Sequence, residues 1–196
     1  MRITFSCILL LIGSTFAHAQ KLNPTILKQI KERSTATHSD ALIILQGKKT
    51  ICKNFYDQSE KPIYIASAGK SLVSLAIGKL LDNGQLDSLD QPVYSLFPEW
   101  NQGTKKLVTI RMLLNHTSGI QNYANASLEL EPPPSYQVEN VIKLALAAEL
   151  SDLPGSRVSY NNKAIALLGG IIEKASGLRM DHFFEKEFFG PMDIKD

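Results

Sequence analysis

The chain has 196 residues, of which 21 are Lys or Arg and 19 are Asp or Glu, so its formal net charge at pH 7 is +2. A charge this near neutrality argues against nucleic acid or an acidic surface as the main partner. With 44% hydrophobic and 20% charged residues, the chain has the composition of an ordinary globular protein of one or two domains, which excludes disorder and a collagen-like structure.

The N-terminus has the three regions of a secretory signal peptide. Met1 and Arg2 precede an apolar run at residues 5–16, and Ala17-His18-Ala19 follows as a small-residue cleavage site. The run is about a dozen residues, too short to cross a bilayer of roughly 30 Å as a helix, so we expect no retained membrane anchor. The chain is therefore predicted to be exported, to the periplasm or out of the cell, with residues 1–19 removed.

Cysteine and histidine usage argues against disulfides and metal sites in the mature chain. Cys7 is lost with the signal peptide and Cys52 remains alone, which leaves no intrachain disulfide and no cysteine-based zinc site. None of the mature histidines stands at helix-ligand spacing from another; they are His38, His116 and His182. We therefore predict no metal site.

The mature chain opens with a helix and a hairpin. Apolar residues at helical spacing, with Lys and Glu between them, predict a short amphipathic surface helix within residues 22–38. Residues 41–45 and 50–56 have the pattern of two strands, joined by the glycine-containing turn at residues 46–49. A β-hairpin is expected here, and these are the only well-supported strands in the sequence.

From Ser67 onward the pattern is helical. Residues 72–81 are apolar with little polar surface, and Asn83-Gly84 supplies a left-handed stop. A helix that is apolar on most faces belongs in the middle of a protein.

The rest of the sequence is also predicted to be mainly helical. It contains no internal repeat and no low-complexity tract. The predicted elements are loop and turn at residues 87–98, a short helix at 110–115 capped by Thr109, an extended tri-proline linker at 131–134, a helix at 138–150, and a helix at 164–176 that stops at Gly177.

Ser67 and Lys70 form the single Ser-x-x-Lys of the chain, at the start of the predicted apolar helix. Residues three apart share a helix face, so Lys70 can reach the Ser67 hydroxyl, and backbone N–H groups at a helix start stabilise developing negative charge. A serine hydroxyl needs a base to become a nucleophile. A lysine at its ordinary pKa of about 10.4 is a weak base at neutral pH, and apolar surroundings lower that value.

An alternative interpretation is structural. Ser67 would only cap the helix, and Lys70 would extend its amine from the first turn into water. A chain of this composition should contain about one Ser-x-x-Lys by chance. The motif alone therefore leaves both interpretations open.

Tyr160 and Asn162 form a Tyr-x-Asn directly before the helix predicted at residues 164–176. A phenol there can share a proton with a serine and a lysine, and an amide can hold a substrate carbonyl. Tyr123 and Asn125 fit the same pattern, which shows how common it is. The alternatives are that Tyr160 is a half-buried aromatic and that Asn162 is a helix cap.

Longer segments around these motifs resemble the serine β-lactamase and penicillin-binding superfamily, in its class C and esterase-like branch. The first, residues 65–87, contains Ser-x-x-Lys and the apolar helix, and three more follow in the family's order. Residues 108–120 look like the family's TIRHLLTHTSGL stretch, residues 160–177 like its Tyr-Ser-Asn segment and following helix, and residues 189–192 like its PLGM turn. The joint match covers residues 41–196 and is highly specific.

The resemblance implies an α/β (α+β) fold of the β-lactamase/transpeptidase type, here mainly its helical part plus the N-terminal β-hairpin. Ser67 is then the acylated nucleophile and Lys70 its base partner. Tyr160 is the second proton-transfer group, and Asn162 is a substrate-positioning amide. His116 falls in a structural stretch of the family, which implies that it stabilises a turn and is not a general base. No cofactor is implied.

The implied activity is that of a serine hydrolase that forms an acyl-enzyme. Residues 39–44 and 65–71 are similar to the branch that includes amide hydrolases acting on 6-aminohexanoate oligomers. The superfamily also accepts β-lactams, D-alanyl peptides and short esters, so small-molecule or peptide-like substrates are the expected partners. A second hypothesis is a penicillin-binding or sensor module that is acylated without turnover.

One family motif is not found. The third motif, Lys or His followed by Thr or Ser and Gly, lies in the family on a strand that supplies one oxyanion-hole N–H, and the chain has no such tripeptide. Residues 20–196 are therefore expected to form the N-terminal part of the hydrolase domain. A third hypothesis is a truncated, inactive remnant, and residues 20–196 alone are expected to be inactive and poorly soluble.

Overall fold

A computed structural model of the chain describes residues 22–56, 62–121 and 138–195, and only the backbone of residues 138–140. The predicted signal peptide and the predicted tri-proline linker lie outside the described residues. The chain divides into two compact units, Met1–Tyr64 and Ile65–Asp196.

The first unit contains the predicted helix and hairpin. Helix α1 (Pro24–Ala36) begins after Asn23, whose side chain accepts a hydrogen bond from the backbone N–H of Thr25. Strands β1 (Ala41–Gln46) and β2 (Lys49–Phe55) pair antiparallel, with a register irregularity in β1. The turn between them contains Gly47, whose φ of 58° is one that a glycine adopts without strain. Helix and hairpin are confirmed.

In the second unit, helix α2 (Gly69–Asp82) follows a 3₁₀ turn at Ala66–Ala68. Its buried residues recur at the spacing of one helix face; they are Val73, Ala76, Ile77 and Leu80. The expectation that most faces of this helix are covered is wrong, because Leu75 on the opposite face is 56% exposed. Among the residues described, α2 is therefore an amphipathic helix with one buried stripe.

The core of the second unit is organised around the last long helix. Within the described residues, the further α-helices of this unit are α3 (Ile110–Leu114), α4 (Val138–Ala147), α5 (Asn162–Ser176) and α6 (Met180–Phe184). Helix α5 packs against all of α2, α3, α4 and α6. Its buried face contains apolar side chains and two glycines, and it supplies much of the core of this unit. The buried stripe of α2 and the buried face of α5 thus belong to one hydrophobic core.

Several boundaries differ from the sequence-based prediction. Helix α4 ends at Ala147, three residues before the predicted end, because Leu150 instead pairs with Ile120 in an isolated antiparallel bridge. The segment at residues 87–98, predicted as loop and turn, contains the 3₁₀ turn Val93–Ser95. Helix α6 and the π-helical turn that continues it were not predicted; phenylalanines of this region contact one another there.

The short helix α3 has the predicted cap. The Thr109 hydroxyl accepts a hydrogen bond from the backbone N–H of Met112 at 3.3 Å. After α3 the chain turns back at His116 and Gly119, both with positive φ, and continues beside residues 149–159. None of the helices within the described ranges is both long and apolar enough to cross a membrane.

The turn at Gly119 yields a stability prediction. Gly119 has a φ of 77°, and a Cβ atom at this position would collide with the backbone carbonyl of Asp152. Because backbone cannot yield as a flexible side chain does, Gly119→Ala should lower the free energy of unfolding by more than about 3 kcal/mol. The measurement is equilibrium unfolding in urea.

The matched control is Gly84→Ala. Gly84 has a similar φ of 69° but nothing within 4 Å of its Cβ position, so only the backbone strain of about 1–2 kcal/mol is expected. Equal losses in the two variants would show that the contact with Asp152 adds nothing.

Candidate active site

Ser67 lies in the 3₁₀ turn Ala66–Ala68, two residues before α2 begins at Gly69. The residue at the cap of α2 is Ala68, and no side chain caps this helix. Ser67 is exposed, and it follows Ala66, which has a left-handed φ of 45°. The alternative in which Ser67 serves only as the helix cap is therefore wrong, and its hydroxyl is directed to other partners.

Lys70 is the first of those partners. Its Nζ donates a hydrogen bond to Ser67 Oγ at 2.9 Å, as the spacing of three residues predicted. The side chain is half-buried, and its Nζ lies 4.9 Å from the centroid of the Tyr160 ring. The alternative in which Lys70 extends its amine away into water is wrong, since the amine is held between the hydroxyl and the aromatic ring.

Tyr160 is the second partner and comes from a distant part of the sequence. Its phenol oxygen lies 2.7 Å from Ser67 Oγ, across 93 residues of chain, and either oxygen can be the donor. When Lys70 donates to Ser67, the serine still has its own hydrogen to give, and the phenol oxygen is placed to receive it. Tyr160 is 51% exposed, so this group of three polar side chains is accessible to solvent.

Asn162 is the fourth site residue that the resemblance implies. It is the first residue of α5 and is half-buried. The alternative in which Asn162 caps the helix is also wrong, because the cap is the preceding residue. Its predicted contact with a substrate carbonyl stays a prediction.

Asn161 is the residue that sequence reasoning missed. Its Oδ1 accepts hydrogen bonds from the backbone N–H groups of Lys163 and Ala164, at 2.9 and 3.2 Å, and the residue is only 1% exposed. Two asparagines precede the apolar helix, and the pattern does not say which of them caps it. The available signal was the position of Asn161 three residues before Ala164, the first of the buried apolar residues of α5.

His116 lies against the ring of Tyr160. Its ring centroid is 4.9 Å from that of Tyr160, and its Nδ1 accepts a hydrogen bond from the backbone N–H of Asn161 at 3.1 Å. The neutral ring therefore carries its hydrogen on Nε2. Burial, and then the positive charge of Lys70, hold the pKa of His116 below its ordinary value. These contacts fit the predicted turn-stabilising role.

Metal ligands do not cluster within the described ranges, where no group of three or more His, Cys, Asp and Glu side chains comes together. Cys52 is buried in the first unit. The prediction that the reaction requires no cofactor stays a prediction.

The chain is similar to known proteins in sequence and in fold. The family model described as Beta-lactamase matches residues 27–196. The chain is 32% identical over 149 residues to the mouse serine beta-lactamase-like protein LACTB, covering 66% of this chain and 27% of the mouse protein. It is 28% identical over 149 residues to esterase EstB of Burkholderia gladioli, covering 67% of this chain and 37% of the esterase.

Solved structures confirm the expected fold. The octameric penicillin-binding protein homologue from Pyrococcus abyssi matches with a TM-score of 0.70 and 26% identity, over 86% of this chain and 42% of that one. The D-amino acid amidase from Ochrobactrum anthropi matches with a TM-score of 0.69 and 22% identity, over 87% of this chain and 54% of that one. The chain thus spans about half or less of the length of the proteins it matches.

The environment of His116 predicts a pH dependence of stability. Because its pKa is lowered in the folded state, the unfolded chain takes up a proton below about pH 6.5 that the folded chain does not. Protonation would also place a hydrogen on Nδ1, opposite the N–H of Asn161. The free energy of unfolding should therefore fall as the pH drops below about 6.5, and stop falling below the folded-state pKa.

His116→Asn tests this dependence. Asparagine tolerates the left-handed backbone at this position, where φ is 56°, and offers an acceptor oxygen but does not titrate. The variant should lose the share of the pH dependence that His116 contributes, as measured by urea unfolding between pH 5 and 8. His38→Asn is the matched control, since His38 also has a positive φ but is exposed. A wild-type pH profile in His116→Asn would contradict the prediction.

Proposed function

Because the chain belongs to the β-lactamase family, we propose that it functions as a serine hydrolase that cleaves amide, ester or β-lactam bonds through an acyl-enzyme. A single observation carries the proposal. Ser67 Oγ lies within hydrogen-bond distance of both Lys70 Nζ and Tyr160 Oη, so an exposed hydroxyl has two proton-transfer groups beside it.

In the acylation step, Ser67 Oγ attacks the substrate carbonyl carbon, and the carbonyl π pair moves to oxygen. The serine proton passes to whichever of Tyr160 Oη and Lys70 Nζ is deprotonated, as a phenolate or as a neutral amine. When the tetrahedral intermediate collapses, the bond to the leaving nitrogen or oxygen breaks, and the leaving group takes up the proton. The product is an ester between the substrate acyl group and Ser67.

In the deacylation step, water replaces Ser67 as the nucleophile. The same two groups accept the proton of the attacking water and return a proton to Ser67 Oγ, so the enzyme is regenerated without a net change in its protonation. The amide of Asn162 would contact the acyl group of the substrate. The exposed position of Ser67 and Tyr160 supports access of both substrate and water.

A module that is acylated without turnover remains the alternative, because acylation alone requires the same three side chains. Intact-mass spectrometry after a pulse of penicillin or of a p-nitrophenyl ester separates the two functions. Rapid return of unmodified protein supports the hydrolase, and a long-lived adduct supports the binding module.

Covalent labelling tests the nucleophile. In the full-length protein, Ser67→Ala should abolish labelling by a fluorophosphonate, since the attacking oxygen is removed. Lys70→Ala should slow acylation by about a thousandfold while the protein stays folded, because a proton-transfer group is lost. The measurement is the adduct mass over time, with a thermal transition to check folding. Labelling that persists in Ser67→Ala would place the nucleophile elsewhere.

Tyr160→Phe tests the second proton-transfer group. Removing the phenol oxygen should lower turnover of a p-nitrophenyl ester by about a hundredfold, because Ser67 loses one of its two hydrogen-bond partners. Tyr123→Phe is the matched control, since Tyr123 fits the same Tyr-x-Asn pattern, and it should leave turnover unchanged. Equal losses in the two variants would remove the argument for Tyr160.

A further inference from the structure

The Tyr160 side chain must be held in position by contacts with its neighbours. Its phenol must stay 2.7 Å from a serine that belongs to a different element, yet half of the Tyr160 side chain is exposed. Packing around the ring therefore constrains it less than it would constrain a core residue. Since a displacement of about 1 Å costs on the order of a hundredfold in rate, something besides packing must fix this residue.

His116 bonds to the backbone on both sides of Tyr160. The His116 carbonyl accepts a hydrogen bond from the N–H of Ser159 at 2.8 Å, and His116 Nδ1 accepts one from the N–H of Asn161 at 3.1 Å. The imidazole ring also contacts the Tyr160 ring. One residue thus fixes a peptide unit on either side of Tyr160, together with a face of its ring.

Asn161 fastens the same segment from the other direction. Its Nδ2 donates a buried hydrogen bond to the Ile120 carbonyl at 2.8 Å, while its Oδ1 accepts from the first N–H groups of α5. The side chain therefore links the turn at residues 116–120 to the start of the central helix. A helix cap requires only the Oδ1 contacts, so the Nδ2 bond is an additional function of this residue.

We propose that His116 and Asn161 are positioning residues that hold the Tyr160 phenol against Ser67. The proposal rests on the proposed function for its catalytic consequence, but the geometry that it describes is independent of it. It also explains why an asparagine stands where a serine would cap the helix equally well: a serine hydroxyl offers the acceptor but cannot reach the Ile120 carbonyl at the same time.

Asn161→Ser separates positioning from capping. Serine keeps the cap of α5 and loses the buried bond to Ile120, so the thermal transition should fall by only about a few degrees and unfolding should stay cooperative. The acylation rate of the full-length protein with a p-nitrophenyl ester should fall about tenfold. Asn23→Ser is the matched control, because Asn23 caps α1 in the first unit, and it should leave the rate unchanged.

A double-mutant cycle with Tyr160→Phe identifies the route of the effect. If Asn161 acts through the phenol, Asn161→Ser should change the acylation rate less than about twofold in the Tyr160→Phe background. Multiplicative losses would show that Asn161 acts independently of Tyr160, and would overturn the proposal. The rate is followed by adduct mass, which remains measurable for slow variants.

A spectroscopic measurement tests the geometry without reference to activity. With ¹³Cζ-labelled tyrosine and assignment by Tyr160→Phe, the Tyr160 resonance should be single and sharp in the wild type. In Asn161→Ser it should shift or broaden, while that of Tyr94 stays in place. An unchanged Tyr160 resonance would overturn the proposal. Labelling of the wild type that does not depend on Ser67 would instead contradict the proposed function, and the resonance would still decide the positioning.

Discussion

The hydrogen bond between Ser67 and Tyr160 is the constraint on which the candidate site depends. It joins two residues 93 positions apart in the sequence, and neither is buried. An exposed hydrogen bond contributes little to stability, so the bond cannot itself hold the two segments together. The structure must bring them together by other means, and those means are found in the buried parts of α2 and α5.

The two helices divide this work. The buried stripe of α2 packs against α5. This packing fixes the orientation of the N-terminal end of α2, where Ser67 and Lys70 lie. At the start of α5, the buried Asn161 satisfies two N–H groups of the helix and one carbonyl of a neighbouring segment. A buried amide with hydrogen bonds at both its oxygen and its nitrogen is costly to displace, because each broken contact leaves a polar group without water. Tyr160 directly precedes Asn161 in the chain, so the same contacts also hold its backbone in place.

The contact between residues that are close in the sequence could be predicted from the sequence pattern. The pair Ser67 and Lys70 could be predicted because a spacing of three residues determines the contact within one turn. The contact with Tyr160 is nonlocal, and it was reached through resemblance to a family. The cap was misplaced by one residue, because Asn161 and Asn162 have the same intrinsic preference and the contact of Asn161 with Ile120 is nonlocal.

His116 shows why a single position is hard to interpret from its residue type. Three requirements meet there: a left-handed backbone, an acceptor for the N–H of Asn161, and a flat face against Tyr160. Glycine would satisfy the first, and asparagine the first two. Histidine satisfies all three while neutral, and the nearby Lys70 charge and partial burial favour that neutral form by lowering its pKa. A titratable residue at a candidate active site thus need not be a base, because the lone pair that a base would use already accepts a hydrogen bond from the backbone.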